Sequence, residues 1–137
     1  AHSPSDTDLN PSRSISNMLW AGSVVLVRYL QSVPELLTRY KSNDRPPSIL
    51  ELGAGIGGGG VGIALLAKAL QLPARICVTD VDPEAVEVIR AALRANGLVS
   101  AHAKSEAAGE EKEEKQVGVT CSGMVLDWDN LEQFWAQ

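Results

Sequence analysis

Three short runs of apolar residues, each bounded by polar or turn-forming residues, dominate the hydrophobic pattern of the chain. They cover residues 48–52, 75–79 and 117–126. Runs of this length that are rich in β-branched and aliphatic residues are typical of strands. Their nearly continuous apolar content favours parallel strands that are covered on both faces. The pattern therefore predicts a parallel sheet of three strands.

Between these runs the apolar spacing changes to that of helices. Residues 16–30 carry apolar side chains at helical intervals, and the nearly all-apolar residues 61–72 predict a helix buried against the sheet. A further helix is predicted to begin at Asp82, because aspartate is a good N-cap and Pro83 suits the first helical position. Gly97 marks its end.

The alternation of helices and strands indicates an α/β fold, with a Rossmann-like three-layer arrangement around the parallel sheet. Cofactor-binding sheets of this type normally contain more than three strands. We therefore expect an incomplete sheet and a chain truncated after its third strand. Residues 1–15, rich in Ser, Asp and Pro, are expected to form a disordered tail, and residues 100–116 a solvated acidic insertion loop.

Composition and charge argue against several classes of function. The chain has 137 residues, 45% of them hydrophobic, which suits one globular domain. A net charge of −5 gives no positive field for nucleic acid or an anionic membrane, and no apolar run is long enough to span a bilayer. Cys77 and Cys121 lie in apolar runs, which favours reduced thiols. His2 and His102 have no ligand-spaced partners, so no metal site is expected.

The candidate chemistry lies where the first two apolar runs end. Glu51 stands near the end of the first run, glycines follow at positions 53, 55 and 57, and Asp80 closes the second run. A glycine-rich turn between a strand and a helix brings the backbone close to a ligand. An acid at the end of the next strand can accept hydrogen bonds from a ribose diol. The pattern predicts a site for a nucleoside-containing cofactor.

Two cofactor classes fit this pattern. Residues 53–58 satisfy G-x-G-x-x-G, the fingerprint of dinucleotide-binding folds, but this motif alone is weak evidence. Glu51 favours S-adenosylmethionine, because a dinucleotide fold usually has an apolar residue there, whereas a carboxylate can receive that cofactor's ammonium group. The helical stretch before the first strand is also unusual for a dinucleotide fold. An NAD-binding oxidoreductase domain is the first alternative.

The same residues belong to a longer series of motifs. In order along the chain these are Trp20 in a helix that ends at Tyr29-Leu30, then ILELGAGIG from residue 49, VGI from residue 61, Thr79-Asp80, Asn96-Gly97 and Leu126-Asp127-Trp128. The series resembles the seven-strand (class I) S-adenosylmethionine-dependent methyltransferases, and within them lysine methyltransferase family 16. The resemblance implies that residues 16–137 are the N-terminal part of a methyltransferase domain.

The resemblance also implies a set of residues that bind S-adenosylmethionine. Glu51 is included because its carboxylate can receive the ammonium group. The full set is Trp20, Glu51, Gly53, Ala54, Gly55, Asp80 and Trp128. The glycine turn would approach the methionine part of the cofactor, and Asp80 would accept hydrogen bonds from the ribose. Trp128 would lie by the adenine and Trp20 would close the pocket. Because Asp80 is a strand-end acid, we expect its removal to leave the fold intact.

The function implied is methylation of a protein lysine, with a protein substrate, no nucleic-acid or membrane partner, and a cytoplasmic or nuclear location. No residue is assigned as catalytic, because methyl transfer from a sulfonium requires no enzyme nucleophile. In the family a single residue separates the third glycine from VGI, whereas here Gly58 to Gly60 stand there, so this segment is two residues longer. The added glycines are expected to loosen the methionine end of the site, and each costs about 1 kcal/mol if it falls within the helix. A truncated, non-catalytic fragment is the second alternative.

Overall fold

The computed structural model describes residues 18–39, 45–98 and 118–130. The predicted tail (1–15) and the predicted acidic insertion (100–116) lie outside these ranges. The elements are helix α1 Ala21–Ser32, a short 3₁₀ helix Pro34–Leu37, strand β1 Ser48–Glu51, helix α2 Gly58–Ala69, strand β2 Ala74–Asp80, helix α3 Pro83–Ala95 and strand β3 Val119–Val125.

The three strands form one parallel sheet in the order β1-β2-β3. In the register of the sheet, Leu50 is level with Cys77, and Ile76 is level with Cys121. Parallel neighbours need a crossover connection, and α2 and α3 supply the helical part of the two crossovers. This arrangement confirms the predicted α/β fold with an incomplete parallel sheet. Within the described residues, β1 pairs only with β2, so β2 is the central strand.

The hydrophobic core lies between one face of the sheet and helices α2 and α3. Ile76 and Val78 of β2 face this side and are almost completely buried, as are Ala64 of α2 and Ile89 of α3. Complete burial of a side chain such as Ile89 contributes about 1.5–3 kcal/mol. The small residues of α2 let this helix lie close to the strands, and α1 packs on α2.

The predicted start of α3 is confirmed. Asp82 has an extended backbone conformation and accepts a hydrogen bond at Oδ1 from the backbone N–H of Glu84, at 2.9 Å. Pro83 occupies the first helical position, where its missing N–H leaves no hydrogen bond unmade. Gly97, with φ of 62°, lies in the left-handed conformation that ends the helix. These local signals fix where α3 begins and ends.

The opposite face of the sheet differs from the prediction. Leu50 is 54% exposed, and Arg75 and Ser122, whose side chains point to the same side, are exposed as well. The expectation that these strands are covered on both faces is therefore wrong for the described residues, because α2 and α3 both pack on the other face. Of the three predicted layers, the described residues supply the sheet and one layer of helices.

Candidate functional site

A pocket lies where the carboxyl ends of the strands meet. Its volume is about 350 Å³, within the range of roughly 300–1,000 Å³ that is typical of small-molecule sites. The residues that line it are Trp20, Gly53, Gly55, Asp80, Val81, Asp127, Trp128 and Asp129. Five of them are residues that the sequence analysis assigned to the cofactor. The structure thus brings together residues from the segment before α1 and from the ends of all three strands.

A larger groove of about 640 Å³ lies elsewhere on the molecule. It includes Leu50 and Arg75 on the uncovered face of the sheet, and it contains none of the predicted site residues. We assign the candidate site to the smaller pocket, because ligands of open parallel sheets bind outside the carboxyl ends of the strands.

The glycine turn after β1 is held in place by the end of β2. The backbone N–H of Ala54 donates to the carbonyl of Thr79 at 2.9 Å, and the hydroxyl of Thr79 donates to the carbonyl of Glu51 at 2.7 Å. Gly53 and Gly55 have φ values of 64° and 56°, which residues other than glycine rarely adopt. The turn is therefore held against the end of β2 by hydrogen bonds, in a conformation that requires glycine.

Asp80 lies at the centre of this hydrogen-bond network and is only 5% exposed. Its Oδ2 accepts from the backbone N–H of Gly55 at 2.7 Å, and its Oδ1 accepts from that of Asp82 at 2.9 Å. Asp80 therefore supports the glycine turn as well as lining the pocket, a structural role that its position at the end of a strand did not indicate. A carboxylate has about four acceptor positions, so Asp80 retains acceptor capacity for the hydroxyl groups of a ligand.

Two tryptophans border the pocket. Trp20 is 55% exposed and Trp128 is 60% exposed. The indole of Trp128 lies over the turn, since a Cβ atom placed on Gly53 would be 3.5 Å from its Cζ2. Trp20 is the N-cap residue of α1, although its side chain makes no capping hydrogen bond. Both indoles can therefore offer an aromatic face to a planar ligand.

Glu51 and Ala54 are the predicted residues that do not line the pocket. The side chain of Glu51 points to the helix-covered face, where Oε2 accepts from the backbone N–H of Gly60 in α2 at 2.6 Å. Burial raises the pKa of this carboxyl group, and the hydrogen bond from Gly60 opposes the shift. The structure thus gives Glu51 a backbone partner within the protein, which the sequence analysis did not foresee.

The three glycines that follow Gly57 fall within a helix. Helix α2 begins at Gly58, directly after its N-cap Gly57, so the additional glycines form the first turn of the helix. A Cβ atom on Gly59 would collide with the carboxylate of Glu51, and one on Gly60 would collide with Val78. These glycines let the start of α2 approach the sheet closely, which the residue pattern alone did not reveal.

Three lining residues were not predicted: Val81, Asp127 and Asp129. Asp127 accepts a hydrogen bond from the backbone N–H of Asp129 at 3.0 Å, and both side chains are exposed. The two acids flank Trp128 in the sequence, which was the available signal. With Asp80 they give the pocket three carboxylates, and no basic side chain is among its lining residues. The charge of the lining favours a cationic ligand.

Other kinds of site find little support in the described part of the chain. It contains no group of three or more side chains that could hold a metal ion, and none of its helices is long and apolar enough to cross a membrane. Cys77 and Cys121 are free thiols, and burial raises the pKa of Cys121 to about 12. A thiol with so high a pKa is not a nucleophile at neutral pH.

The sequence profile of a protein family matches most of the chain. The match covers residues 7–133, and the family is described as lysine methyltransferase. The chain belongs to the lysine methyltransferase family. A comparison with curated proteins gives no match. Membership of the lysine methyltransferase family confirms the resemblance drawn from the motifs, and it supports methyl transfer as the class of reaction.

Proposed function

We propose that the protein is an S-adenosylmethionine-dependent methyltransferase that modifies lysine side chains of other proteins. The observation that carries the proposal is the pocket at the carboxyl ends of the strands. There the glycine turn, the buried Asp80 carboxylate and two exposed indoles meet within one cavity. Because the proposed substrates are lysines of other proteins, we expect the protein to be located in the cytoplasm or the nucleus.

The residues of the pocket fit the parts of this cofactor. Asp80 would accept hydrogen bonds from the two ribose hydroxyls, for which its carboxylate keeps free acceptor positions. Trp128 would contact the adenine ring, and Trp20 would cover the pocket from the start of α1. The turn at Gly53 and Gly55 exposes backbone beside the methionine part. A sulfonium and an ammonium group would also suit the acidic lining.

When bound, S-adenosylmethionine supplies an electrophilic methyl group that passes from sulfur to an amine nitrogen in one in-line displacement. The protein's contribution is to orient the two reactants and to exclude water. A lysine acceptor has a reference pKa near 10.4 and must lose a proton before it can attack. Burial of the amine away from water favours its neutral form.

The negative charge of the pocket and of Glu51 argues against binding of a dinucleotide. In dinucleotide-binding folds the anionic pyrophosphate lies at the N-terminus of the helix after the first strand. Here the carboxylate of Glu51 already accepts a hydrogen bond from the first turn of that helix, α2. A second anion would meet this carboxylate and those of the pocket lining. Family membership points the same way.

Calorimetric titration of the protein with S-adenosylhomocysteine and, separately, with NADH tests the cofactor. We expect binding of the former only. Transfer of a labelled methyl group from S-adenosylmethionine to lysines in a protein extract then tests the reaction. Binding of NADH alone would favour the oxidoreductase alternative. Binding of S-adenosylhomocysteine with no transfer would favour the non-catalytic alternative, and methylation of arginine or nucleic acid would contradict the proposed substrate.

A further inference from the structure

We propose that Glu51 is a positioning residue that holds the cofactor-binding turn in place, and that it does not itself contact the cofactor. The proposal rests on the proposed function, because the turn matters only if the pocket binds S-adenosylmethionine. It differs from the sequence expectation, in which the Glu51 carboxylate receives the cofactor's ammonium group.

The side chain of Glu51 points to the helix-covered face of the sheet. Ile49 and Glu51 are two positions apart on β1, so their side chains lie on the same face of the sheet. Ile49 packs against the core on the helix-covered side. Glu51 accordingly reaches the first turn of α2, where it accepts the hydrogen bond from Gly60, and it is absent from the lining of the pocket.

The hydrogen bond between Glu51 and Gly60 spans the glycine turn. Glu51 is the last residue of β1, and Gly60 lies in the first turn of α2. The turn with Gly53 and Gly55 is the chain between them. A bond from one end of this segment to the other restricts the turn, and Asp80 binds Gly55 within it. The segment is thus held by two carboxylates.

The start of α2 holds the Glu51 side chain in place. The N-terminus of a helix carries partial positive charge and unpaired N–H groups, which offset part of the cost of burying this carboxyl group. Gly59 and Gly60 leave the space that the carboxylate fills, since a Cβ atom on either would overlap with it. Movement of Glu51 toward a ligand would leave the N–H of Gly60 without its partner.

The test compares two variants with two ligands. S-adenosylhomocysteine carries the ammonium group, whereas 5′-methylthioadenosine has the same nucleoside and sulfur but no amino-acid part. Glu51→Gln keeps an oxygen that can accept from Gly60 and removes the charge, and Glu51→Ala removes both. Glu35→Gln and Glu35→Ala are the matched controls, because Glu35 is exposed and does not line the pocket. Each Kd is measured by calorimetry, well below the melting temperature of the variant.

A positioning role predicts that Glu51→Gln changes both Kd values by less than about threefold. Glu51→Ala should weaken both ligands by a similar factor of about 2 to 30, which corresponds to the cost of a lost helix cap, about 0.5–2 kcal/mol. Amide hydrogen exchange at the turn should become faster in Glu51→Ala only. A purely structural role would lower the melting temperature and leave both Kd values unchanged, which would overturn the proposal.

A direct role at the ammonium group predicts a different result. Glu51→Gln would then weaken S-adenosylhomocysteine by tenfold or more and leave 5′-methylthioadenosine unchanged, which would also overturn the proposal. The comparison of the two ligands in Glu51→Gln decides between direct contact and positioning even where Glu51→Ala does not fold. If the unmodified protein binds neither ligand, the proposed function itself has failed, and this outcome is separate from every result of the variants.

Discussion

The base and the rim of the candidate pocket are built in different ways. The base, formed by Gly53, Gly55 and Asp80, is held by backbone hydrogen bonds and by a carboxylate that is 5% exposed. The rim, formed by Trp20 and Trp128, exposes more than half of each side chain. Groups with many buried contacts stay ordered, whereas exposed side chains change rotamer easily.

This difference indicates how the pocket would bind a ligand. A preformed base need not be ordered on binding, which lowers the entropic cost of association. The rim gains most of its contacts only when a ligand is present, because more than half of Trp20 and of Trp128 is exposed. We therefore expect changes in the base to affect both stability and affinity, and changes in the rim to affect affinity alone.

The largest effect is expected for Asp80→Ala. The N–H groups of Gly55 and Asp82 lose their acceptor, which should reduce the free energy of unfolding by about 1–3 kcal/mol. In addition, loss of the hydrogen bonds to the ribose should weaken binding of S-adenosylhomocysteine by about 1.5–3 kcal/mol, roughly 10- to 150-fold in Kd. Urea denaturation and calorimetry measure the two effects. Asp129→Ala is the control, and equal effects of both variants would contradict the special role of Asp80.

A smaller effect is expected for Gly60→Ala, which alters the packing behind the base. Its Cβ atom would overlap with Val78, which is fully buried, and we expect a loss of about 1–3 kcal/mol in the free energy of unfolding. Gly22→Ala in α1 is the matched control, because nothing lies within 4 Å of the added atom. It should stabilise the protein by about 0.4–1 kcal/mol. Similar denaturation midpoints would show that the start of α2 is less tightly packed than described.

Trp128→Ala tests the rim. Loss of the aromatic contact should weaken S-adenosylhomocysteine by about 0.5–1.5 kcal/mol. The free energy of unfolding should change little, because the side chain is 60% exposed. Trp20→Ala should behave in the same way. A large loss of stability in either variant, measured by urea denaturation, would mean that the rim is part of the folded core and that the distinction between base and rim is wrong.

The smallest effect concerns pH. Because burial raises the pKa of Glu51 above its ordinary value of 4.5, the folded protein binds this proton more tightly than the unfolded chain. The contribution of Glu51 to stability is therefore greatest below about pH 4.5 and decreases as the pH rises through the folded pKa. Glu51→Gln lacks this titration. The free energy of unfolding of the unmodified protein minus that of Glu51→Gln should decrease as the pH rises from about 4 to about 7. An increase over this range would show that the folded protein lowers the pKa of Glu51.

Much of the fold and part of the site could be predicted from local sequence. Asp82 and Pro83 fix the start of α3 through their own backbone preferences, and the acids at the ends of β1 and β2 are visible in the sequence. The face on which the Glu51 side chain lies could have been predicted too, because strand alternation places it on the face of Ile49.

Other features depend on distant parts of the chain. An apolar run such as that around Leu50 does not record whether a helix covers one face or both, because periodicity reports the strand and not its neighbours. The close approach of α2 also escaped prediction. Position 60 requires glycine because Val78 leaves no space for a side chain there. The two residues come together only after the sheet has formed.

Asp80 also has a consequence for folding. Its carboxylate accepts from Gly55 at 2.7 Å, and its backbone carbonyl accepts from the N–H of Leu126 at 2.9 Å, so one residue joins the exits of all three strands. A partly folded chain that lacks β1 or β3 cannot assemble this pocket. Ligand affinity is then thermodynamically linked to complete folding. A ligand at 100 times its Kd would stabilise only the fully paired sheet, by about 2.7 kcal/mol.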